Sequence, residues 1–107
     1  LESYLLQQQK GDVAIEQEVD RVYQNAPQEV KLVDESLNRT INVSSQASNS
    51  TVVWNPWQES CAKFSDLSAD DYQHFLCIEN ANVFEDSVTI AAGESHTLIA
   101  VFKVENI

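Results

Sequence analysis

Gln73-His74-Phe75-Leu76-Cys77-Ile78-Glu79-Asn80-Ala81-Asn82-Val83 is the stretch whose reading decides the fold class. A strand over His74–Asn80 puts Phe75, Cys77 and Glu79, and beyond them Ala81, on one face, with Leu76 and Ile78 on the other, because strand side chains alternate with period two. Both faces are then apolar, the pattern of a central strand covered on both sides. Glu79 falls in line with Phe75 and Cys77. If that face is buried, its carboxylate must be paired, neutral or functional, since an unpaired charge in low dielectric costs several kcal/mol. Burial would also raise its pKa toward the range useful for acid–base work. If the strand instead ends at Ile78, Glu79 reaches solvent.

Upstream of this stretch, Thr51–Trp54 is a short apolar strand ended by Pro56, and Ser44–Ser50 is a polar loop. Arg39–Val43, with Ile41 and Val43 on one face, and Glu29–Val33 read as further strands. Ala26-Pro27 marks a turn, because proline pre-sets φ and has no N–H for a ladder. Val13–Val19 reads as a strand, with a second run near Arg21–Gln24. Leu1–Lys10 reads as the start of a short helix or strand. Between Trp54 and His74, Glu59–Phe64 suits one helical turn, and Ser68-Ala69-Asp70-Asp71 has the S-x-x-D form of a weak N-cap signal. Downstream, Val88–Ile90 and Thr97–Val104 are the last strands, joined across a turn at Gly93, where glycine supplies the conformational freedom. Short β runs between turn residues, with at most about a tenth of the chain in helix, indicate an all-β sandwich or barrel.

The chain has 107 residues, enough for one small domain with a modest core. No run approaches the roughly 18–20 apolar residues of a membrane-spanning helix, and no signal peptide is visible. Leu1, rather than a methionine, begins the sequence, as expected of a processed or cut piece. Seventeen acids against six bases give a formal net charge of −11. Such a surface repels nucleic-acid backbones and anionic lipid, so neither is an expected partner. The bases are scattered, which argues against a free-standing phosphate site. Cys61 and Cys77 form no CxxC pair, and no Cys or His cluster has zinc spacing. Cys77, inside Phe75-Leu76-Cys77-Ile78, reads as a small hydrophobe.

Four stretches, in order, carry a resemblance: Glu18-Val19-Asp20-Arg21-Val22-Tyr23, Asp34-Glu35-Ser36-Leu37-Asn38-Arg39-Thr40-Ile41, Val53-Trp54-Asn55-Pro56-Trp57, and Asp71-Tyr72 followed by Phe75-Leu76-Cys77-Ile78-Glu79. The tail, Ala92-Gly93-Glu94 with Thr97–Val104, adds to them. Together they resemble the hexose-6-phosphate mutarotases (glucose-6-phosphate 1-epimerases) of the aldose 1-epimerase, galactose mutarotase-like superfamily. Each motif is weak alone; their order and spacing carry the resemblance from about Val13 onward.

The resemblance implies an antiparallel β-sandwich of which residues 1–107 form only the C-terminal portion, roughly the last third. It implies an isomerase that interconverts the α and β anomers of a hexose 6-phosphate by acid–base ring opening, in the cytoplasm, with no cofactor and no metal. Glu79 is implied as the catalytic base and Asp20 as the aspartate that binds sugar hydroxyls. The general-acid histidine and the phosphate-binding arginines are implied to lie before Leu1, since neither His74 nor His96 sits in a matching motif. The isolated portion is then expected to be nearly inactive, and to self-associate or pair with the missing N-terminal portion.

Two softer substrate-binding candidates come from residue chemistry. Asn55 can donate to a sugar hydroxyl, and Trp54 can stack on an apolar sugar face. The plain alternatives are a turn at Asn55-Pro56 and a core role for Trp54. For Asp20 the plain alternative is a solvated acid: on a regular strand Glu16, Glu18 and Asp20 share a face and repel one another if buried, unless a kink or bulge near Val19 separates them. Arg21 is expected to pair with a nearby acid. The sequons at Asn38, Asn42 and Asn49 read as chance matches. Two other functions stay open: a non-catalytic carbohydrate-binding module, and a structural β-domain whose acids are surface charges.

Overall fold

The computed structural model describes residue 7 and residues 9–107. The reading of Leu1–Lys10 as a helix or strand start therefore lies largely outside the described residues. Among the described residues six strands form: β1 (Val19–Tyr23), β2 (Glu29–Asp34), β3 (Arg39–Gln46), β4 (Ser50–Asn55), β5 (Cys77–Ala81) and β6 (Ile99–Asn106). One short helix, α1 (Trp57–Cys61), follows β4, and 3-10 turns occur at Asp71–Gln73 and Phe84–Asp86. The fold is all-β, of the sandwich class expected. Two antiparallel three-stranded sheets have the orders β1-β4-β5 and β2-β3-β6.

The tight turns follow local chemistry. In the β2–β3 hairpin the closing pair is Asp34 opposite Arg39, held by a 2.9 Å contact from Arg39 Nε to Asp34 Oδ2. Ser36 donates to Asp34 Oδ1 at 2.6 Å, and Asn38 takes the left-handed conformation (φ 51°), which asparagine tolerates well. At Ser68 the capping signal is realised in part: Asp71 Oδ2 accepts the Ser68 N–H at 2.8 Å.

Several boundaries differ from the sequence pattern, among them the decisive strand, which runs over Cys77–Ala81 rather than His74–Asn80, and the last strand, which runs over Ile99–Asn106 rather than Thr97–Val104. Val13–Val19 is not a strand: the chain bends at residues 16–17 and the ladder starts at Val19. Among the described residues, 13–18 have no opposing strand to satisfy their backbone. The polar loop is shorter than its composition suggests, because β3 runs through Gln46 and β4 begins at Ser50. Val88–Ile90 lies outside any strand; Val88 and Ile90 are exposed and have no covering face to order them. The helical turn starts at Trp57, immediately after Pro56, rather than at Glu59.

Among the described residues the buried apolar set is small: Val19, Val43, Val53 and Cys61, with Pro56. Buried polar residues outnumber it, with Asn42, Ser45, Ser48, Ser50, Thr51 and Asn55. The radius of gyration is 15.6 Å, against about 13 Å for a compact domain of this length. β6 is exposed along its whole length, and Phe102 and Val104 stand 62% and 56% exposed.

Candidate active site

Strand register determines which candidates share a surface. Asp20 lies opposite Trp54, and Trp54 lies opposite Cys77 on its other side. Val52 lies opposite both Val22 and Glu79. Residues directly opposite in an antiparallel ladder point to the same face, as do residues two apart. Asp20, Trp54, Cys77 and Glu79 therefore occupy one face of the β1-β4-β5 sheet. Strands about 4.8 Å apart and a rise of about 3.4 Å per residue put the Asp20 and Glu79 Cα atoms about 12 Å apart. The opposite face carries the buried Val19, Thr51, Val53 and Asn55.

Asp20 is exposed, and the bend ahead of β1 leaves Glu16 and Glu18 outside the ladder. The run of like charges on one regular strand does not form. Arg21 Nη1 donates to Gln9 Oε1 at 2.9 Å and to the Tyr23 hydroxyl at 3.3 Å. Its partners among the described residues are these neutral oxygens rather than the acid that was expected.

Trp54 is half-buried. Its ring meets Phe64 edge-on at 5.9 Å and Phe75 at 5.8 Å with a 43° tilt. These are favourable aromatic geometries, and they hold the indole on the face it shares with Asp20. Asn55 points the other way. It is 2% exposed, and its amide donates to the carbonyls of Tyr72 at 3.0 Å and Phe75 at 2.8 Å. Its Oδ1 accepts the Trp57 N–H at 2.8 Å. That side chain ties the turn after β4 to the segment leading into β5, which is the turn role, and it does not reach the face of Asp20, Trp54 and Glu79.

Among the described residues β5 is an edge strand, with β4 as its one ladder neighbour. The expectation of a central strand covered on both faces is corrected here. Apolar residues on both faces report what a strand is suited to touch, and these 107 residues supply only part of that cover. Leu76, Cys77 and Ile78 are half-buried and Glu79 is exposed. They line a cleft of about 330 Å³ against Leu32, Ile41, Val43 and Phe102 of the second sheet. Burial, and secondarily the charge of Glu79, pushes the Cys77 thiol up from its ordinary range. Both cysteines are free.

His74 and His96 are exposed. His96 Nε2 lies 3.0 Å from Asn82 Oδ1, and His74 precedes β5. Among the described residues no group of His, Cys, Asp and Glu is arranged to hold a metal ion, and no helix is long and apolar enough to cross a membrane.

The structure also assembles residues that no local pattern links. Asp86 Oδ2 accepts the Asn49 N–H at 2.7 Å, the Asn82 amide at 3.2 Å and the Ser50 hydroxyl at 3.3 Å. The Asn49 N–H bond, followed by the Asn82 and Ser50 side chains, holds the Asp86 carboxyl below the usual range. Ser48 Oγ bonds both backbone groups of Ala81, at 2.7 Å and 3.1 Å. This knot pins the end of β5, two residues beyond Glu79, to the connection by which the chain crosses from β3 in one sheet to β4 in the other. Asn49 and Asp86 are 37 positions apart, so the only sequence signal was a run of polar residues.

Comparison with known proteins places these features. The aldose 1-epimerase family model matches residues 3–103, beginning ahead of Val13, where the motifs become clear. A protein of Cenchrus ciliaris provisionally named a glucose-6-phosphate 1-epimerase is 34% identical over 87 residues, which is 80% of this chain and 26% of that protein. Proteins with the same name from Haemophilus influenzae and Escherichia coli are 35% and 40% identical over 64% and 62% of the chain. The matched stretch spans about a quarter of the length of these relatives (26%, 24% and 22%). No solved structure matches it. A family match over nearly the whole chain, on an all-β frame with the motif acids on one sheet face, shows that the chain belongs to the aldose 1-epimerase family.

Proposed function

We propose that this chain is the C-terminal portion of a hexose-6-phosphate mutarotase, an isomerase that interconverts the α and β anomers of glucose 6-phosphate in the cytoplasm. The observation that carries the reading is the shared face of Asp20, Trp54 and Glu79. About 12 Å between the outer Cα positions, less the reach of two carboxylate side chains, leaves room for one pyranose ring. Trp54 would support an apolar sugar face, Asp20 would accept from ring hydroxyls, and Glu79 would act as base. Asn55 has no part in this arrangement, because its amide is committed to the turn.

Mutarotation needs two proton transfers. Glu79 takes the proton of the anomeric hydroxyl while an acid protonates the ring oxygen. The C–O bond opens, the aldehyde turns about C1–C2, and the transfers run in reverse. Each positioned acid or base contributes typically ~10²–10⁴-fold. Neither histidine lies on this face, so the acid would come from outside these residues, and the chain alone would be nearly inactive. The reaction as written has no step for a metal or cofactor.

The test is α/β exchange of glucose 6-phosphate by NMR, with the chain and with Glu79→Gln. Exchange no faster than buffer is expected of the chain alone, and adding the remainder of the family's domain should restore it in a Glu79-dependent way. Restored exchange untouched by Glu79→Gln would remove Glu79 from its role. A non-catalytic carbohydrate-binding module is the second reading, favoured by the exposure of Glu79 in this chain. Sugar affinity that survives Glu79→Gln, without exchange in any combination, would support it.

A further inference from the structure

A second cavity, of about 320 Å³, adjoins the shared face at its Asp20 end. Its walls are Trp54, Pro56 and Phe64, and its polar lining is Glu18, Ser60 and Lys63. The volume lies at the small end of the roughly 300–1,000 Å³ range of small-molecule sites, and the mix of apolar wall and a few converging polar groups is typical of them. Trp54 is common to this cavity and to the proposed sugar face, and Glu18 precedes Asp20 by two residues.

The polar groups form a matched set. The Ser60 hydroxyl donates to Glu18 Oε1 at 2.9 Å. That leaves the second carboxylate oxygen and the Ser60 lone pairs as acceptors. Lys63 brings three N–H donors, and among the described residues it makes no ion pair. Two neighbouring hydroxyls of a sugar need one acceptor and one donor, which this lining offers. Its charges cancel. A phosphate ester, carrying about −1.5 to −2 at neutral pH, would meet Lys63 and Glu18 together, in a chain of net charge −11.

We infer that Glu18, Ser60 and Lys63, with Trp54 and Phe64, form a hydroxyl-reading subsite for a neutral part of the sugar, and that this subsite does not distinguish an aldose from its 6-phosphate. The inference rests on the proposed sugar face and adds to it residues that determine sugar orientation. It assigns phosphate recognition to other groups.

The experiment is a ¹⁵N-correlation NMR titration of the 107-residue chain with glucose and, separately, with glucose 6-phosphate. Both sugars should shift the Ser60 and Lys63 amides and the Trp54 indole, with midpoints within about twofold of each other. Lys63→Gln should weaken both by about tenfold, the lower end for a hydrogen bond to a charged group. Ser60→Ala should weaken both as well. Unchanged spectral dispersion verifies that each variant folds. Weakening confined to glucose 6-phosphate would make Lys63 a phosphate ligand and overturn the inference. Shifts at Asp20 and Glu79 alone would overturn it while leaving the proposed function standing. No shift at any of these residues would overturn the inference, while the proposed function stands or falls on the exchange restored by the remainder of the family's domain.

Discussion

At the residue scale, the groups that hold the scaffold and those proposed to do chemistry are different acids. Asp34 and Asp86 are built into turns. The Ser36 hydroxyl and then the Arg39 guanidinium lower the Asp34 carboxyl, and the Asn49 N–H leads in lowering that of Asp86. A carboxyl that binds its proton less tightly when folded stabilises the fold above its unfolded pKa, and that stability is lost as pH falls through the folded value. Stability should therefore decline as pH drops below about 4, the ordinary aspartate range. Asp86→Asn should make that decline shallower, as read from urea melts at a series of pH values. A variant curve as steep as the unsubstituted chain's would show that Asp86 contributes nothing to acid sensitivity. Glu79 and Asp20 have none of these hydrogen bonds and stand exposed, as groups awaiting a ligand or a covering surface would.

At the element scale, the turn after β4 decides whether the shared face exists. Trp57 has φ 59°, a strained value for a bulky residue and worth on the order of 1–3 kcal/mol. Two contacts offset it: the Asn55 Oδ1 bond to its N–H, and its ring against Tyr72 at 4.9 Å. Asn55 also grips the carbonyls of Tyr72 and Phe75, so it couples β4 to the approach of β5. Asn55→Ala should cost about 2–4 kcal/mol, because it leaves buried backbone groups without partners, and should loosen β5 before β1. Denaturant melts give the first quantity, and amide hydrogen exchange at Cys77–Ala81 relative to Val19–Tyr23 gives the second. Uniform exchange rates in the two strands would count against a specific coupling. Trp54-Asn55-Pro56 was legible as a strand end and turn. Whether Asn55 faced a sugar or the turn was not, since that depends on the carbonyls of Tyr72 and Phe75, far along the chain.

At the scale of the whole molecule, the chain is under-covered. Few apolar side chains are buried, the radius of gyration exceeds that of a compact domain, and β6 presents an open ladder edge with Phe102 and Val104 exposed. Open edges with apolar faces recruit other strands. Light scattering coupled to size exclusion should show dimers or larger species at micromolar concentration, resolved by adding the remainder of the family's domain. A stable compact monomer would sink that expectation. The amino-acid sequence by itself determined the all-β class, most strands from Glu29 onward and the Asp34–Arg39 hairpin, because alternation, turn residues and closing pairs act over a few positions. It also singled out Glu79 and Asp20 through their motifs, and Trp54 through its aromatic chemistry. Only the tertiary structure decided that these three share a face while Asn55 does not, that β5 has β4 as its one ladder neighbour among the described residues, and that Asp86 ties the β3–β4 connection to Asn82 just beyond β5. Each of these depends on inter-strand register and on contacts between residues tens of positions apart, and local periodicity carries no information about which strand lies beside which.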